Sequence, residues 1–167
     1  MPLIRRAAAL LALLAAAACD GELPPVEPSE CGPSEAVVAR VIDGDTVELE
    51  GGQRVRYLLI DTPESTQGKD DCFGQEAAEA NRGLVEGQRV ALAYDKECRD
   101  RYDRLLAYVH TPDGEVGRIL VRGGHACVYV IHPPGQEREA EYRALEREAQ
   151  LLRAGLWGAC PVPTCQH

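Results

Sequence analysis

The sequence predicts an α+β fold in which a five-stranded Greek-key barrel of the OB type carries about three helices. Three observations predict it. Five short segments rich in β-branched and apolar residues are separated by Gly, Pro and Asp residues that favour turns. A helical pattern follows the third segment, and three strands, a helix and two strands is the order of an OB barrel. A long amphipathic pattern near the C-terminus adds a helix whose apolar face can cover the barrel.

The first three strands are predicted to form a meander. Their ranges are 36–42, 46–50 and 54–60. The residues DGD at 43–45 and GG at 51–52 favour the two tight turns between them. Pro63 ends the third strand, because proline has no N–H to donate to a neighbouring strand.

The remaining elements follow from hydrophobic periodicity. Apolar residues at helical spacing predict helices at 75–85, 116–122 and 136–154, with charged loops at 65–71 and 95–103. Alternating or continuous apolar residues predict strands at 89–94 and 104–110 and a short extended run at 126–131. The last helix has the strongest pattern, because Tyr142, Leu145, Ala149 and Leu152 recur three or four residues apart.

Residues 1–19 are typical of an export signal. Arg5 and Arg6 precede an uninterrupted apolar run that is too short to span a bilayer as a mature helix. Cys19 follows three alanines and resembles the lipidated cysteine of a bacterial lipoprotein, although Ala16 stands where such signals usually have leucine. The alternatives are ordinary cleavage near Ala18, which gives a freely secreted product, or an uncleaved anchor.

The predicted organisation of the chain has four parts. After the signal, residues 20–35 are rich in Pro and Glu and are predicted to form a disordered tether. Residues 36–160 form the folded domain and 161–167 a tail. We expect an exported monomer that is attached to a membrane through Cys19, or else a secreted or periplasmic one.

Seven cysteines are scattered through the chain. If Cys19 carries lipid, an even number remains, and an even number in an exported chain indicates disulfide bonds. The sequence does not choose among the pairings. The absence of any C-x-x-C motif from the sequence argues against a zinc site.

The net charge of −9 argues against a broad basic surface of the kind that coats DNA. It leaves room for a local basic pocket.

Two acidic segments are candidates for a metal site. Taken alone, the residues DGDT at 43–46 and DTPE at 61–64 are typical of turns. Together they can lie on one rim of a barrel, where Asp45 and Asp61 would repel each other unless a cation lay between them. Hard oxygen ligands suit Ca²⁺ or Mg²⁺. Glu64 would then be free to act on water.

Two arginines complete the candidate set. Arg56 lies among apolar neighbours and needs an anionic partner, which is either one of the rim aspartates or a bound phosphate. Arg104 opens the fifth strand and is either a solvated surface side chain or a second phosphate ligand. Two guanidinium groups and a divalent cation would offset the charge that develops during attack on a phosphodiester.

At this point the sequence resembles the staphylococcal nuclease family. The resemblance runs from about residue 37 to residue 157 and rests on five motifs in the family's order: VIDGDTVEL (41–49), RYLLIDTPE (56–64), FGQEA (73–77), DRYDRLLAYV (100–109) and ILVRGGHA (119–126). It implies a five-stranded OB barrel and hydrolysis of DNA or RNA, single strands included, with attack at phosphorus that leaves a 3′-phosphate.

The resemblance also implies roles for individual residues. Asp45, Asp61 and the Thr62 carbonyl would bind one Ca²⁺. Glu64 would position or deprotonate the attacking water, and Arg56 and Arg104 would bind phosphate. Asp43 would stand behind the metal ligands, and the residues placed near the substrate are Arg101, Tyr102 and Tyr129.

Three features depart from the family pattern. Asp103 stands where the family usually has glycine, so its carboxylate can either order Arg104 or hold it away from phosphate. Ile131 stands where a second tyrosine would pack on the nucleotide. The loop after Glu64 is short and contains Cys72. We predict that Cys72 is bonded to Cys98, a disulfide that is not part of the family pattern.

Two other functions compete with a nuclease. A non-catalytic OB module could bind nucleic acid or a protein, but such modules use a basic groove with stacking aromatic residues, which are scarce here. A Ca²⁺-stabilised structural domain would explain the aspartates but not the arginines.

Overall fold

A computed structural model describes residues 21–66, 68, 71–131 and 134–163. The strands are β1 (Glu35–Val41), β2 (Thr46–Leu49), β3 (Arg54–Tyr57), β4 (Ile60–Asp61), β5 (Arg89–Arg99), β6 (Leu105–Thr111), β7 (Gly114–Glu115) and β8 (Cys127–Val128). The helices are α1 (Gly74–Val85), α2 (Val116–Arg122), α3 (Glu139–Leu152) and the single turn α4 (Leu156–Ala159). The predicted signal, Cys19 and the last four residues of the predicted tail lie outside the described residues.

Five strands close into a barrel. The main sheet runs β3-β2-β1-β5-β6-β7 through antiparallel pairs, and a parallel pairing of β3 with β6 closes the first five of these strands into a ring. In that pairing Val55 lies opposite Leu105, and Tyr57 lies opposite Ala107. The predicted α+β barrel with about three helices is therefore confirmed, with α4 as one additional turn.

Two barrel strands differ from their predicted ranges by more than one residue. The third predicted strand breaks after Tyr57, because Leu59 takes a positive φ of 66° and β4 leaves the barrel to pair with β8. The fourth continues to Arg99 instead of ending at residue 94, so half of the predicted loop is strand. Asp100 ends it, since its carboxylate accepts the N–H groups of Tyr102 and Arg104 and closes a tight turn.

The core consists mainly of aliphatic residues, as the scarcity of aromatics predicts. Val38, Val55, Leu92 and Leu105 are fully buried inside the barrel. The two rare large aromatics, Phe73 and Trp157, instead pack on a small second cluster beside α4 (the other members are Cys127, Leu156 and Cys160).

Helix α3 is attached to the barrel by buried polar contacts as well as by its apolar face. Tyr142 is fully buried, and its hydroxyl donates to the buried carboxylate of Glu115, which also pairs with Arg138 at 2.6 Å. On the same side, Asp95 accepts the N–H of Gly135 at 2.9 Å. A buried carboxylate without such donors would be costly, so these contacts hold the segment that precedes α3 against β5 and β7.

Two disulfides join distant parts of the chain: Cys31 to Cys98, and Cys72 to Cys160. The predicted pair of Cys72 with Cys98 is therefore wrong. Cys98 lies on β5, and the segment before β1 runs beside that strand, whereas Cys72 precedes α1 and faces the end of α4. Cys127 is disulfide-bonded as well.

The segment predicted as a tether has contacts with the barrel near its C-terminal end. Residues 21–34 contain neither helix nor strand. The Tyr94 hydroxyl donates to the Pro33 carbonyl at 2.9 Å, and the Leu92 N–H donates to the Ser34 carbonyl at 2.8 Å. With the disulfide at Cys31, these bonds fix the last part of the segment to β5. Among the described residues, no helix has the length and apolar character needed to cross a membrane.

We expect loss of the Cys72–Cys160 bond to destabilise the fold strongly. It closes a loop between residues 88 positions apart, so its removal gives the unfolded chain much more freedom. Replacing both cysteines by serine should lower the free energy of unfolding by about 2–5 kcal/mol, measured by denaturant unfolding. The single variant Cys72→Ser is the control for an unpaired thiol. A double variant as stable as the parent would contradict the expectation.

Candidate active site

The predicted site residues converge on one cavity of about 880 Å³ on the outer side of the barrel, where β3 and β6 meet. It is bounded by the break between β3 and β4, the segment 61–64, the turn at 100–104 and the segment after β8. The predicted residues that line it are Asp43, Asp45, Arg56, Asp61, Thr62, Glu64, Arg101, Tyr102, Arg104 and Tyr129. Residues far apart in the chain thus surround a single space, as the sequence predicts.

Asp45 is a buried carboxylate with an unusually complete set of donors. One oxygen accepts the Thr46 hydroxyl at 2.9 Å, and the other accepts the Thr62 N–H at 3.0 Å. The turn that carries it lies close to Thr62, because a Cβ on Gly44 would meet the Thr62 side chain at 2.7 Å. Glycine at this position therefore lets the two acidic segments touch.

Arg56 joins the two aspartates. Its Nε lies 3.1 Å from Asp45, and its Nη2 lies 2.8 Å from Asp61. Its Nη1 donates to the carbonyls of Tyr57 and Ile60, which spans the break between β3 and β4. The pairing with rim aspartates that we considered for this arginine is therefore present. Phosphate binding by Arg56 would require it to exchange at least one of these partners.

The acidic rim carries more negative charge than Arg56 can offset. Burial, and then the neighbouring charge of Asp45, raises the pKa of Asp43 to about 7. Three carboxylates lie near one guanidinium, so a divalent cation bound between Asp45 and Asp61 would offset the remaining negative charge. No group of three or more His, Cys, Asp or Glu side chains in the described ranges forms a metal site alone. A cation there would need backbone, water or substrate oxygens as well.

Arg104 is oriented by Asp100, a residue that we did not predict as part of the site. The Asp100 carboxylate accepts the Arg104 Nε at 2.7 Å as well as its backbone N–H. Burial alone would raise the pKa of Asp100, but the hydrogen bonds from Arg104 and the Tyr102 N–H outweigh it and lower the pKa. The two terminal nitrogens of Arg104 make no hydrogen bond to any described residue, so they are available to a ligand in the cavity.

Asp103 does not hold Arg104. Its carboxylate and its carbonyl both accept the Arg99 Nη1, at 3.1 and 2.9 Å. Asp103 has a φ of 63°, a conformation that glycine adopts without strain. The glycine that the family usually has here therefore suits the turn geometry, and the aspartate is turned toward Arg99.

Glu64 is held by its backbone rather than by its side chain. Its N–H donates to Asp71 at 3.1 Å, and its carbonyl accepts the Asp71 N–H at 3.0 Å. A Cβ on Gly74 would lie 2.4 Å from the Glu64 carbonyl, so α1 approaches closely from behind. The carboxylate contacts the Thr66 hydroxyl at 3.5 Å and makes no ion pair with any residue that the structure describes. It can therefore accept a proton in the cavity.

Aromatic and apolar side chains form two walls of the cavity. On one side Tyr102 is 64% exposed, and Arg101 donates to its hydroxyl at 2.6 Å and lies against its ring. On the other side lie the half-buried Tyr129 and Ile131, which is 61% exposed. Exposed rings beside arginine side chains can stack on bases.

Comparisons with known proteins agree with this geometry. The model of the family described as "Staphylococcal nuclease homologue" matches residues 54–159. The chain is 37% identical to "Endonuclease YncB" of Bacillus subtilis (strain 168) over 71% of the chain and 59% of that protein, so it spans only part of this relative's length. It is 36% identical to an "Uncharacterized endonuclease" of Escherichia coli over 81% of the chain and 86% of that protein. It is 34% identical to the "Thermonuclease" of Staphylococcus intermedius over 72% of the chain and 74% of that protein. The chain belongs to the staphylococcal nuclease family.

Proposed function

We propose that this chain is an exported, Ca²⁺-dependent nuclease that hydrolyses phosphodiester bonds of DNA or RNA and leaves 3′-phosphate ends. The observation that carries the proposal is the convergence of an ion-pair-free Glu64 carboxylate and the two open nitrogens of Arg104 on one cavity. A general base and a fixed cation facing the same space are what attack of water on a phosphodiester needs.

The residues of the chain suit each part of this reaction. Glu64 accepts a proton from the attacking water as the new oxygen–phosphorus bond forms. Arg104 hydrogen-bonds the phosphate oxygens, whose charge grows as the geometry becomes pentacoordinate. The bond from phosphorus to the 5′-oxygen breaks, and that oxygen takes up a proton from solvent. The phosphate stays on the 3′-oxygen.

Ca²⁺ fits the acidic rim. Asp45 and Asp61 would hold it together with the Thr62 carbonyl, while Asp43 adds negative charge behind them. The bound ion would offset negative charge on the phosphate. Asp45 and Asp61 share one guanidinium, that of Arg56, and the remaining negative charge on the rim supports this assignment.

The disulfides support export. Disulfides form and persist in oxidising compartments outside the cytoplasm, and two of them join described parts of this chain. Attachment to a membrane through a lipidated Cys19, or release as a secreted or periplasmic protein, is part of the proposal. So is a monomer, because one chain supplies the whole candidate set.

A digest of single-stranded DNA tests the function. We expect the full-length chain to cut a labelled oligonucleotide in Ca²⁺, to stop cutting in a chelator and to resume when Ca²⁺ is restored. The products should carry a 3′-phosphate that a phosphatase removes, as read from their migration on a denaturing gel. RNA of the same sequence, digested in parallel, reports the preference between the two substrates.

The digest also separates the competing functions. The variant Arg104→Ala, purified in the same way, controls for contaminating nucleases. A non-catalytic OB module would bind the oligonucleotide without cutting it. Cutting that persists in chelator would rule out the metal assignment, and 5′-phosphate products would rule out the proposed direction of attack.

A further inference from the structure

A third arginine lies beside Arg56 and beside Arg104, the residue that we assign to the scissile phosphate. Arg54 and Arg56 project from the same outer face of β3, because residues two apart in a strand point the same way and the residue between them is fully buried. Val55 and Leu105 are the first paired residues of the parallel strands β3 and β6. Arg54 directly precedes Val55, and Arg104 directly precedes Leu105. Arg54 is therefore a neighbour of both, and it lines the same cavity.

The charge of Arg54 is only weakly offset. Its ion-pair partner Glu48 is already bound by Arg40, which contacts both carboxylate oxygens at 3.1 and 2.7 Å. Arg54 approaches the same carboxylate at 3.7 Å, and 54% of its side chain is exposed. One carboxylate thus serves two guanidinium groups and binds Arg40 more closely, which leaves Arg54 free to take another anion.

The distance from Arg54 to the reacting centre suits a polymer. Two residues along a strand span roughly 7 Å, a step comparable with the spacing of successive phosphates along an extended nucleic acid strand. A phosphate held by Arg104 and lying beside Arg56 would therefore place its neighbour along the strand near Arg54.

We propose that Arg54 binds the phosphate next to the scissile one, so that the preferred substrate is an internal linkage of a polynucleotide rather than a single-nucleotide ester. This inference rests on the proposed nuclease function. The other arginines of the cavity are engaged elsewhere: Arg99 pairs with Asp103, and Arg101 binds Tyr102. Arg54 is thus the cation that extends the phosphate site along β3.

The test compares a long substrate with a short one, using the full-length chain. For Arg54→Ala we expect the KM for a single-stranded oligonucleotide to rise roughly tenfold, as when a charged hydrogen bond is lost, with kcat unchanged. The KM for a nitrophenyl diester of one nucleotide should not change, because it has no neighbouring phosphate. The salt dependence of oligonucleotide binding should weaken by about 0.7 in log–log slope.

Two further variants separate binding from folding and from bulk charge. Arg89→Ala removes an equally ion-paired surface arginine that lies outside the cavity, 3.4 Å from Glu35, and should leave both KM values unchanged. Arg54→Lys keeps the charge and should keep most of the salt dependence. Equal effects of Arg54→Ala on both substrates, or no effect on either, would overturn the proposed subsite.

Binding distinguishes failure of the subsite from failure of the nuclease. If the parent chain cuts neither substrate, the proposed function fails. Fluorescence anisotropy with a labelled oligonucleotide still decides the subsite: weaker binding and a lower salt slope for Arg54→Ala, with unchanged competition by a nucleoside monophosphate, support it. Unchanged oligonucleotide binding overturns it.

Discussion

Glu64→Gln should lower kcat for oligonucleotide cleavage by about 10²–10⁴-fold, the usual contribution of a positioned general base. The carboxylates of Asp45, Asp61 and Asp100 are each paired with an arginine, whereas no described cation pairs with Glu64. An amide of the same size keeps the contact with Thr66 but cannot take a proton from water. The fold should be unaffected, because the backbone of Glu64, not its side chain, holds the segment to Asp71.

A matched control lies in the same cavity. Glu97→Gln removes the same charge from the cavity wall, and we expect activity close to that of the parent. The Ca²⁺ concentration that gives half-maximal activity should be unchanged in Glu64→Gln, because we assign Glu64 to water and not to the ion. A kcat near the parent value would remove Glu64 from the mechanism, and a raised Ca²⁺ requirement would make it a metal ligand.

The barrel could be predicted because its signals are local. Turn-forming residues separate short apolar segments, and each segment has a side that must be buried. The break at Leu59 could not be predicted in this way, because two consecutive buried leucines look like uninterrupted strand. Its positive φ is set by tertiary contacts: Leu58 donates to the Ala107 carbonyl and Leu59 accepts from the Tyr129 N–H, both distant in sequence.

The disulfide pairing failed for a related reason. We expected Cys72 and Cys98 to meet because both were placed on the same rim. The structure brings Cys98 beside the segment that precedes β1 and Cys72 beside the end of α4. Which cysteines meet depends on how the segment before β1 and the turn α4 pack on the barrel, and local periodicity does not contain that information.

The candidate site could also be predicted only in part. The sequence predicts which residues lie around the cavity, because strand ends of a small barrel share a rim. It does not predict which acidic residue forms an ion pair with which arginine. The sequence analysis did not identify Asp100 as a site residue. A signal for it exists, because Asp100 lies four residues before Arg104 in a predicted loop. An aspartate in a tight turn can accept the N–H groups of the residues that follow it. The sequence points to Asp103 as the residue able to disturb Arg104, whereas in the structure Asp103 pairs with Arg99.

Arg104→Ala should lower kcat/KM for oligonucleotide cleavage by about 10³-fold, at the upper end of the effect of removing one donor to a developing oxyanion. The reason lies in how Asp100 holds the guanidinium. Asp100 binds only the side-chain Nε, at 2.7 Å, and the two terminal nitrogens have no hydrogen-bond partner among the described residues, so both can bind phosphate oxygens. Arg104→Lys should recover little activity, because an ammonium group cannot bind Asp100 and two phosphate oxygens in one plane.

Neighbouring variants show whether this orientation matters. Asp100→Asn keeps the shape but weakens the charge-assisted bond to Nε, so we expect a smaller loss, about tenfold, mainly in kcat. Asp103→Gly should stay close to the parent, because Asp103 contacts Arg99 and its φ of 63° is one that glycine favours. If Asp103→Gly altered cleavage as much as Asp100→Asn does, our assignment of Asp100 alone to the orientation of Arg104 would be wrong. If Arg104→Ala remained fully active, phosphate would have to be bound by Arg56, at the expense of its bonds to Asp45 and Asp61.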